Sequence, residues 1–103
     1  MATLIWTAPM SYYSAGDETA FFEWLQSIPG VKSVKGIGRE LHIRLRSNRI
    51  SRESLREFIA LYIRYEGKMP ELAMFANSTN ADWFSVPSAH WYKLVFPDGE
   101  ASK

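Results

Sequence analysis

The sequence predicts an α+β fold: a three-stranded antiparallel-type sheet, built in the chain order β-α-β-β-α and arranged in space as 2-3-1, with helices on one face and short helices at the C-terminal end. Three observations carry this expectation. Residues 51–67 read as an amphipathic helix with a legible start, buried face and stop. Residues 40–46 alternate apolar and polar side chains as a half-buried strand does. A second amphipathic helix, over 17–28, stands between two short apolar runs, and a right-handed crossover through it leaves a slot that the third strand fills.

At 103 residues the chain suits one domain, 1–103, with a core that needs no covalent staple. Apolar residues make up 47% and aromatics 15%, which excludes a disordered chain and points to an aromatic core. With no cysteine, disulfides and thiolate metal sites are impossible. No apolar run approaches the ~20 residues needed to cross a membrane, and the N-terminus lacks the pattern of a secretory signal. The expectation is a soluble, cytoplasmic protein. The net charge of +1 hides a basic block: residues 32–52 carry Lys32, Lys35, Arg39, Arg44, Arg46, Arg49 and Arg52 against Glu40 alone.

In order, Thr3–Thr7 is a short apolar run closed by Ala8-Pro9, hence a first strand. Residues 10–16 are a loop with two adjacent tyrosines, Tyr12 and Tyr13. Asp17–Ile28 places acids at the positive end of a helix and Phe21, Leu25 and Ile28 on one face, broadened by Phe22 and Trp24. Pro29-Gly30 ends it. Val31–Ile37 is a second strand; Val31 and Val34 stand three apart, which implies a bulge. Gly36–Gly38 makes a turn into Glu40–Arg46, where Leu41, Ile43 and Leu45 alternate with His42, Arg44 and Arg46. One face of that strand is core and the other is wet and positive.

Ser51 suits the N-cap of the main helix, with Ile50 stapled onto Leu55. Leu55, Phe58, Ile59 and Tyr62 follow helical spacing, and Ile63 widens the stripe. Gly67 suits the left-handed residue that stops the helix, and Pro70 opens a short one with Leu72 and Phe75 inward. Residues 77–82 have loop composition. Over 89–96 the spacing fits a helix capped by Ser88, but Trp91, Lys93 and Val95 also alternate like a strand. Helix is preferred, because Leu94 and Val95 then share a face with Trp91. Pro97-Asp98-Gly99 reads as a turn.

The run from Ala60 to Phe96 carries Leu61, Tyr62, Arg64, Tyr65, Met69, Leu72, Phe75, Asn80, Trp83, Phe84, Trp91, Tyr92 and Phe96 at characteristic spacings. In these residues, about a third of the chain, it resembles the small immunity proteins encoded beside contact-dependent growth-inhibition toxins in bacteria. The resemblance implies a cytoplasmic protein that binds and neutralises a cognate toxin domain. Immunity proteins against nucleases are often acidic, and this chain departs from that pattern.

For sites, the residues least explained by the core are Lys32, Lys35, His42, Arg44 and Arg46, with Tyr12 or Tyr13 as an aromatic anchor; two neighbouring loop tyrosines do not both point inward easily. Such a basic face suits an acidic protein patch or a phosphate backbone, or is simply solvated, with arginines stacked on the C-terminal tryptophans. Nucleic acid is the alternative partner, weakened by the lack of RNP-type aromatics on these strands. His42 beside Arg44 is thin support for a metal-independent nuclease, and no nucleophile–base pair or paired carboxylate assembles, so no enzyme is expected. Two histidines without cysteine make a zinc site improbable, and no cofactor is implied. Gly36-Ile37-Gly38 is a hairpin turn rather than a phosphate cradle, since no helix follows it. Oligomeric state has no signature in the sequence.

Overall fold

The computed structural model describes residues 1–9 and 12–97. Its three strands are β1 (Ala2–Trp6), β2 (Val31–Ile37) and β3 (Glu40–Leu45), joined into one sheet in the order β1-β3-β2 with both pairings antiparallel. This is the α+β arrangement that the alternation in β3 and the two helices predict. The helices are α1 (Ala15–Ser27), α2 (Arg52–Arg64), a 3-10 helix (Met69–Phe75) and the single-turn α3 (Tyr92–Val95).

β3 is central, paired with β1 on one side and β2 on the other. Leu41, Ile43 and Leu45 turn toward the helices beside Trp6, Leu4 and Ala2 of β1, and toward Gly36, Val34 and Val31 of β2. The bulge falls at Lys32, which stands between the paired residues Val31 and Ser33. β2 and β3 are joined at Gly38-Arg39, since Ile37 pairs with Glu40. Gly38 has φ +61 while no positive φ occurs at Arg39, the φ pattern of a type II′ turn. The turn is thus one residue later than the spacing of Gly36 and Gly38 implies.

α1 starts at Ser14, whose hydroxyl accepts from Asp17 N–H at 3.1 Å. It buries Phe21 and Leu25, and its C-cap residue Ile28 is buried beside them. α2 is capped by Ser51, which accepts from Ser54 N–H at 3.1 Å. It buries Leu55, Phe58, Ile59, Leu61 and Tyr62. Leu61 takes the place in the stripe expected of Ile63, which is left in solvent. The physical reason is that α2 is covered on one flank by α1 and on another by the 3-10 helix, so its buried arc is shifted toward Leu61.

The stop of α2 also differs from expectation. The left-handed residue is Glu66, with φ 60, and not Gly67. Gly67 N–H donates to Tyr62 O at 2.8 Å and Glu66 N–H to Ile63 O at 3.4 Å, which is a Schellman motif with Glu66 at C′ and Gly67 one residue beyond. In the C-terminal segment Ser88 does not cap a helix. The helical turn begins after Trp91, and it turns Tyr92 and Val95 inward while Leu94 stays exposed. The turn expected at Pro97-Asp98-Gly99 lies largely outside the described residues.

The core joins both layers. Trp6 sits edge-on to Phe21, with centroids 5.3 Å apart, and 4.3 Å from Tyr62. Phe58 stacks on Phe75 at 5.6 Å. Polar ties fix the helices: Trp24 Nε1 donates to Glu57 Oε1 at 2.6 Å, and Ser54 Oγ to Pro29 O at 2.8 Å. Glu71 accepts from Tyr62 OH at 2.8 Å through one oxygen and from Thr7 N–H at 3.2 Å through the other, so the residue after β1, α2 and the 3-10 helix meet on one carboxylate. Among the described residues no helix is long and apolar enough to cross a membrane.

Candidate functional site

Because the helices cover one face of the sheet, the alternation of β3 delivers every second side chain to a bare surface. Cross-strand register gives that surface its rows. Ile5, His42 and Lys35 form one row, and Thr3, Arg44 and Ser33 the next; Ile37 stands beside Glu40. Neighbours within a row have Cβ atoms about 4.5–5.5 Å apart, and consecutive rows about 7 Å, so Lys35 and Arg44 flank His42 at close range. Thr3, Ser33, Lys35 and Arg44 are exposed, as are the apolar Ile5 (36%) and Ile37 (49%). His42 is half-buried between its neighbours, and its Nε2 lies 3.1 Å from Glu40 Oε1. Among the described residues the C-terminal segment, up to residue 97, packs on the helical side, and Thr3, Ser33, Lys35 and Arg44 stay exposed.

Lys35, His42 and Arg44 are therefore brought together. Arg46 continues the same file one step beyond β3, its N–H donating to Gly30 O at 3.1 Å. Lys32 is exposed, but Ser33 takes the place opposite Arg44, and the bulge leaves Lys32 unpaired in the ladder.

The two tyrosines divide as adjacent loop aromatics must, one in and one out. Tyr12 packs against Phe21 at 5.8 Å and Tyr65 at 6.5 Å. Its hydroxyl is buried without a hydrogen-bond partner among the described residues. Burial first, then the nearby Glu18, Tyr65 and Asp17, push its pKa up to about 12. Tyr13 is 98% exposed and lines a small polar cleft with Pro9, Asp17, Arg64, Tyr65 and Glu66, on the helical layer. An aromatic anchor at Tyr13 thus belongs to a surface separate from the basic rows. The apolar contacts that do stand among the cations are Ile5 and Ile37. For Ile5 the signal was available in the sequence, since a residue between Leu4 and Trp6 on one strand must point the other way.

Arginine–tryptophan stacking occurs, but elsewhere: the guanidinium of Arg52 on α2 lies 5.1 Å from the Trp83 ring centroid. His42 and Arg44 stand on the helix-free face of the sheet, with Glu40 engaging the imidazole. Among the described residues no cluster of three His, Cys, Asp or Glu side chains is placed to hold a metal ion.

The residues that carry the C-terminal resemblance are mostly scaffold. Leu61, Tyr62, Met69, Leu72, Phe75, Phe84 and Tyr92 are buried, and Tyr65, Trp83, Trp91 and Phe96 pack against them. Asn80 is buried as well; its Nδ2 donates to Phe75 O at 2.8 Å and its Oδ1 accepts from Asn77 N–H at 3.0 Å. No protein-family model, curated protein or solved structure matches the chain.

Proposed function

We propose that this chain is a protein-binding module of the immunity type, which neutralises a cognate toxin domain by one-to-one docking on the open sheet face. The observation that carries this reading is the make-up of that face: Lys35, Arg44 and Arg46 are interleaved with the exposed Ile5 and Ile37 on a sheet face that no other element covers among the described residues. Cations beside apolar side chains fit an acidic protein patch with an apolar centre. Glu40, within the same rows, opposes a phosphate backbone, which favours a protein over nucleic acid. A standard interface takes about 800 Å² from each partner, a modest share of the 6426 Å² that the chain exposes. The role proposed is occlusion and not catalysis; the C-terminal resemblance supports it and the matched residues build the scaffold.

The test is genetic and then physical. The open reading frame beside this one is expected to encode a large secreted protein ending in a toxin domain, and co-expression should rescue growth and yield a stable complex. Arg44→Glu should weaken that complex at least tenfold while leaving the fold intact. A partner bound equally well by the Arg44→Glu variant overturns the assignment of the face. Salt-sensitive binding of RNA or DNA that Arg44→Ala weakens, with no toxin bound, overturns the role.

A further inference from the structure

A second surface lies on the opposite side of the molecule, along the outer flank of α2. There the helix and the segment His90–Trp91 enclose a groove of about 370 Å³, floored by Ile59, Ala60 and Ile63 and flanked by Arg56 and Arg64. Ile63, 44% exposed, is a large apolar side chain that the shifted buried arc of α2 leaves without a neighbour from the core. The far wall is rigid: Trp91 Nε1 donates to Phe84 O at 2.9 Å, its ring stands edge-on to Trp83 at 6.1 Å, and Trp83 is covered by Arg52. Among the described residues neither Arg56 nor Arg64 has an acidic partner. Arg64 lies over the Tyr65 ring at 5.5 Å, on the border between this groove and the cleft it shares with Asp17 and Glu66.

Arg56, Ala60 and Arg64 follow i, i+4, i+8, so the two cations stand about 12 Å apart along one line of the helix, with a small residue between them. A small residue permits close approach of a second helix, and the flanking cations select its charge. We infer that this groove docks an acidic amphipathic helix of a protein partner, its apolar stripe against Ile59, Ile63 and Trp91 and two carboxylates, two turns apart, on Arg56 and Arg64. The inference rests on reading the chain as a protein-binding module, but neither on the sheet face nor on the toxin.

The experiment uses the full chain and a designed probe: a capped, fluorescein-labelled helical peptide of fifteen residues, with leucines along one face and two glutamates seven residues apart at its edge. Fluorescence anisotropy should show saturable binding, with a shift in tryptophan emission. The Arg56→Glu/Arg64→Glu double variant should lose at least about tenfold in affinity, or 1.4 kcal/mol, whereas Arg49→Glu, exposed and on neither surface, changes nothing. A matched peptide with lysines in place of the glutamates should not bind. Equal binding of both peptides, or loss of binding in Arg44→Glu alone, overturns the proposal, as does the absence of any saturable signal. Self-association that Ile63→Asp abolishes, seen by sedimentation without peptide, assigns the groove to a second copy and overturns it too. Because the readout needs no toxin, failure here leaves the sheet-face reading standing, and the reverse also holds.

Discussion

Gly67 stands directly against Trp6: a Cβ placed on it would lie 2.8 Å from Cη2 of the indole and still closer to the Tyr62 ring. Both rings are fully buried, and both are held, Trp6 by Phe21 and Tyr62 by Glu71. Neither has room to withdraw. Gly67→Ala is therefore expected to destabilise by about 1–3 kcal/mol through overpacking, measured by urea denaturation. The neighbouring position behaves oppositely. Glu66 holds φ 60 with a side chain that dislikes it, so Glu66→Gly should stabilise by about 0.5–1 kcal/mol after the entropy of the added glycine is counted.

The stack of Phe58 on Phe75 joins α2 to the 3-10 helix in the middle of the core. Phe58→Ala should cost about 3–5 kcal/mol, the usual range for a deleted buried ring. Arg56→Ala, two residues earlier and exposed, should stay within about 0.5 kcal/mol. Thermal and urea unfolding of the pair check the contrast.

Asn80 holds the loop after Phe75 with hydrogen bonds at both ends of its amide. Asn80→Ala takes the shorter of two donors from Phe75 O, leaving only Asn77 Nδ2 at 3.4 Å, and strips the Asn77 N–H of its acceptor, so about 1–3 kcal/mol of stability should go with them. Asn80→Asp keeps the acceptor but loses the donor to Phe75 O, so it should recover only part. Hydrogen exchange over 76–84 reports whether the loss is local.

Alkaline pH should act through Tyr62. Burial, then the charge of Glu71 and the hydrogen bond to it, hold its phenol protonated well above the ordinary tyrosine range. The unfolded phenol titrates near 10. Below that pH both states carry the proton and the contribution is complete; above it only the unfolded state releases the proton, so stability falls as pH rises, by up to about 1.4 kcal/mol per pH unit. Tyr12, raised to about 12, adds to the decline in the same direction between pH 10 and 12. Tyr62→Phe should be less stable at neutral pH, because Glu71 loses a donor, and should show a shallower alkaline limb. An alkaline limb unchanged in that variant contradicts the assignment.

On the sheet face, Ile5→Asp and Ile37→Asp should weaken binding of an acidic partner by introducing like charge and removing apolar contact, with little change in melting temperature. Lys35→Glu should chiefly slow association and reduce its salt dependence, as charges at a rim do. Stopped-flow or biosensor kinetics with the purified partner separate the two effects.

Short-range pattern already settled much of this molecule. The alternation of Leu41, Ile43 and Leu45, the spacing of Val31 and Val34, the cap Ser51, and the stripe of Phe21, Leu25 and Ile28 are local properties, and strand order followed from the β-α-β-β connectivity. The positions of Lys35, His42 and Arg44 came with them, because parity on a strand fixes the face. What local pattern left open depended on which neighbour arrived. Ile63 and Leu61 suit a helix face equally well, and only the placement of α1 and the 3-10 helix chose Leu61. Gly67 suggests a backbone role by its identity alone, yet its reason is the approach of Trp6, sixty-one residues away in sequence. Tyr12 and Tyr13 are chemically alike, and the aromatic cluster of Phe21, Phe22 and Tyr65 took one and left the other in water. Side-chain chemistry and spacing set the elements; burial, which is a property of two surfaces meeting, decided which residues remain exposed.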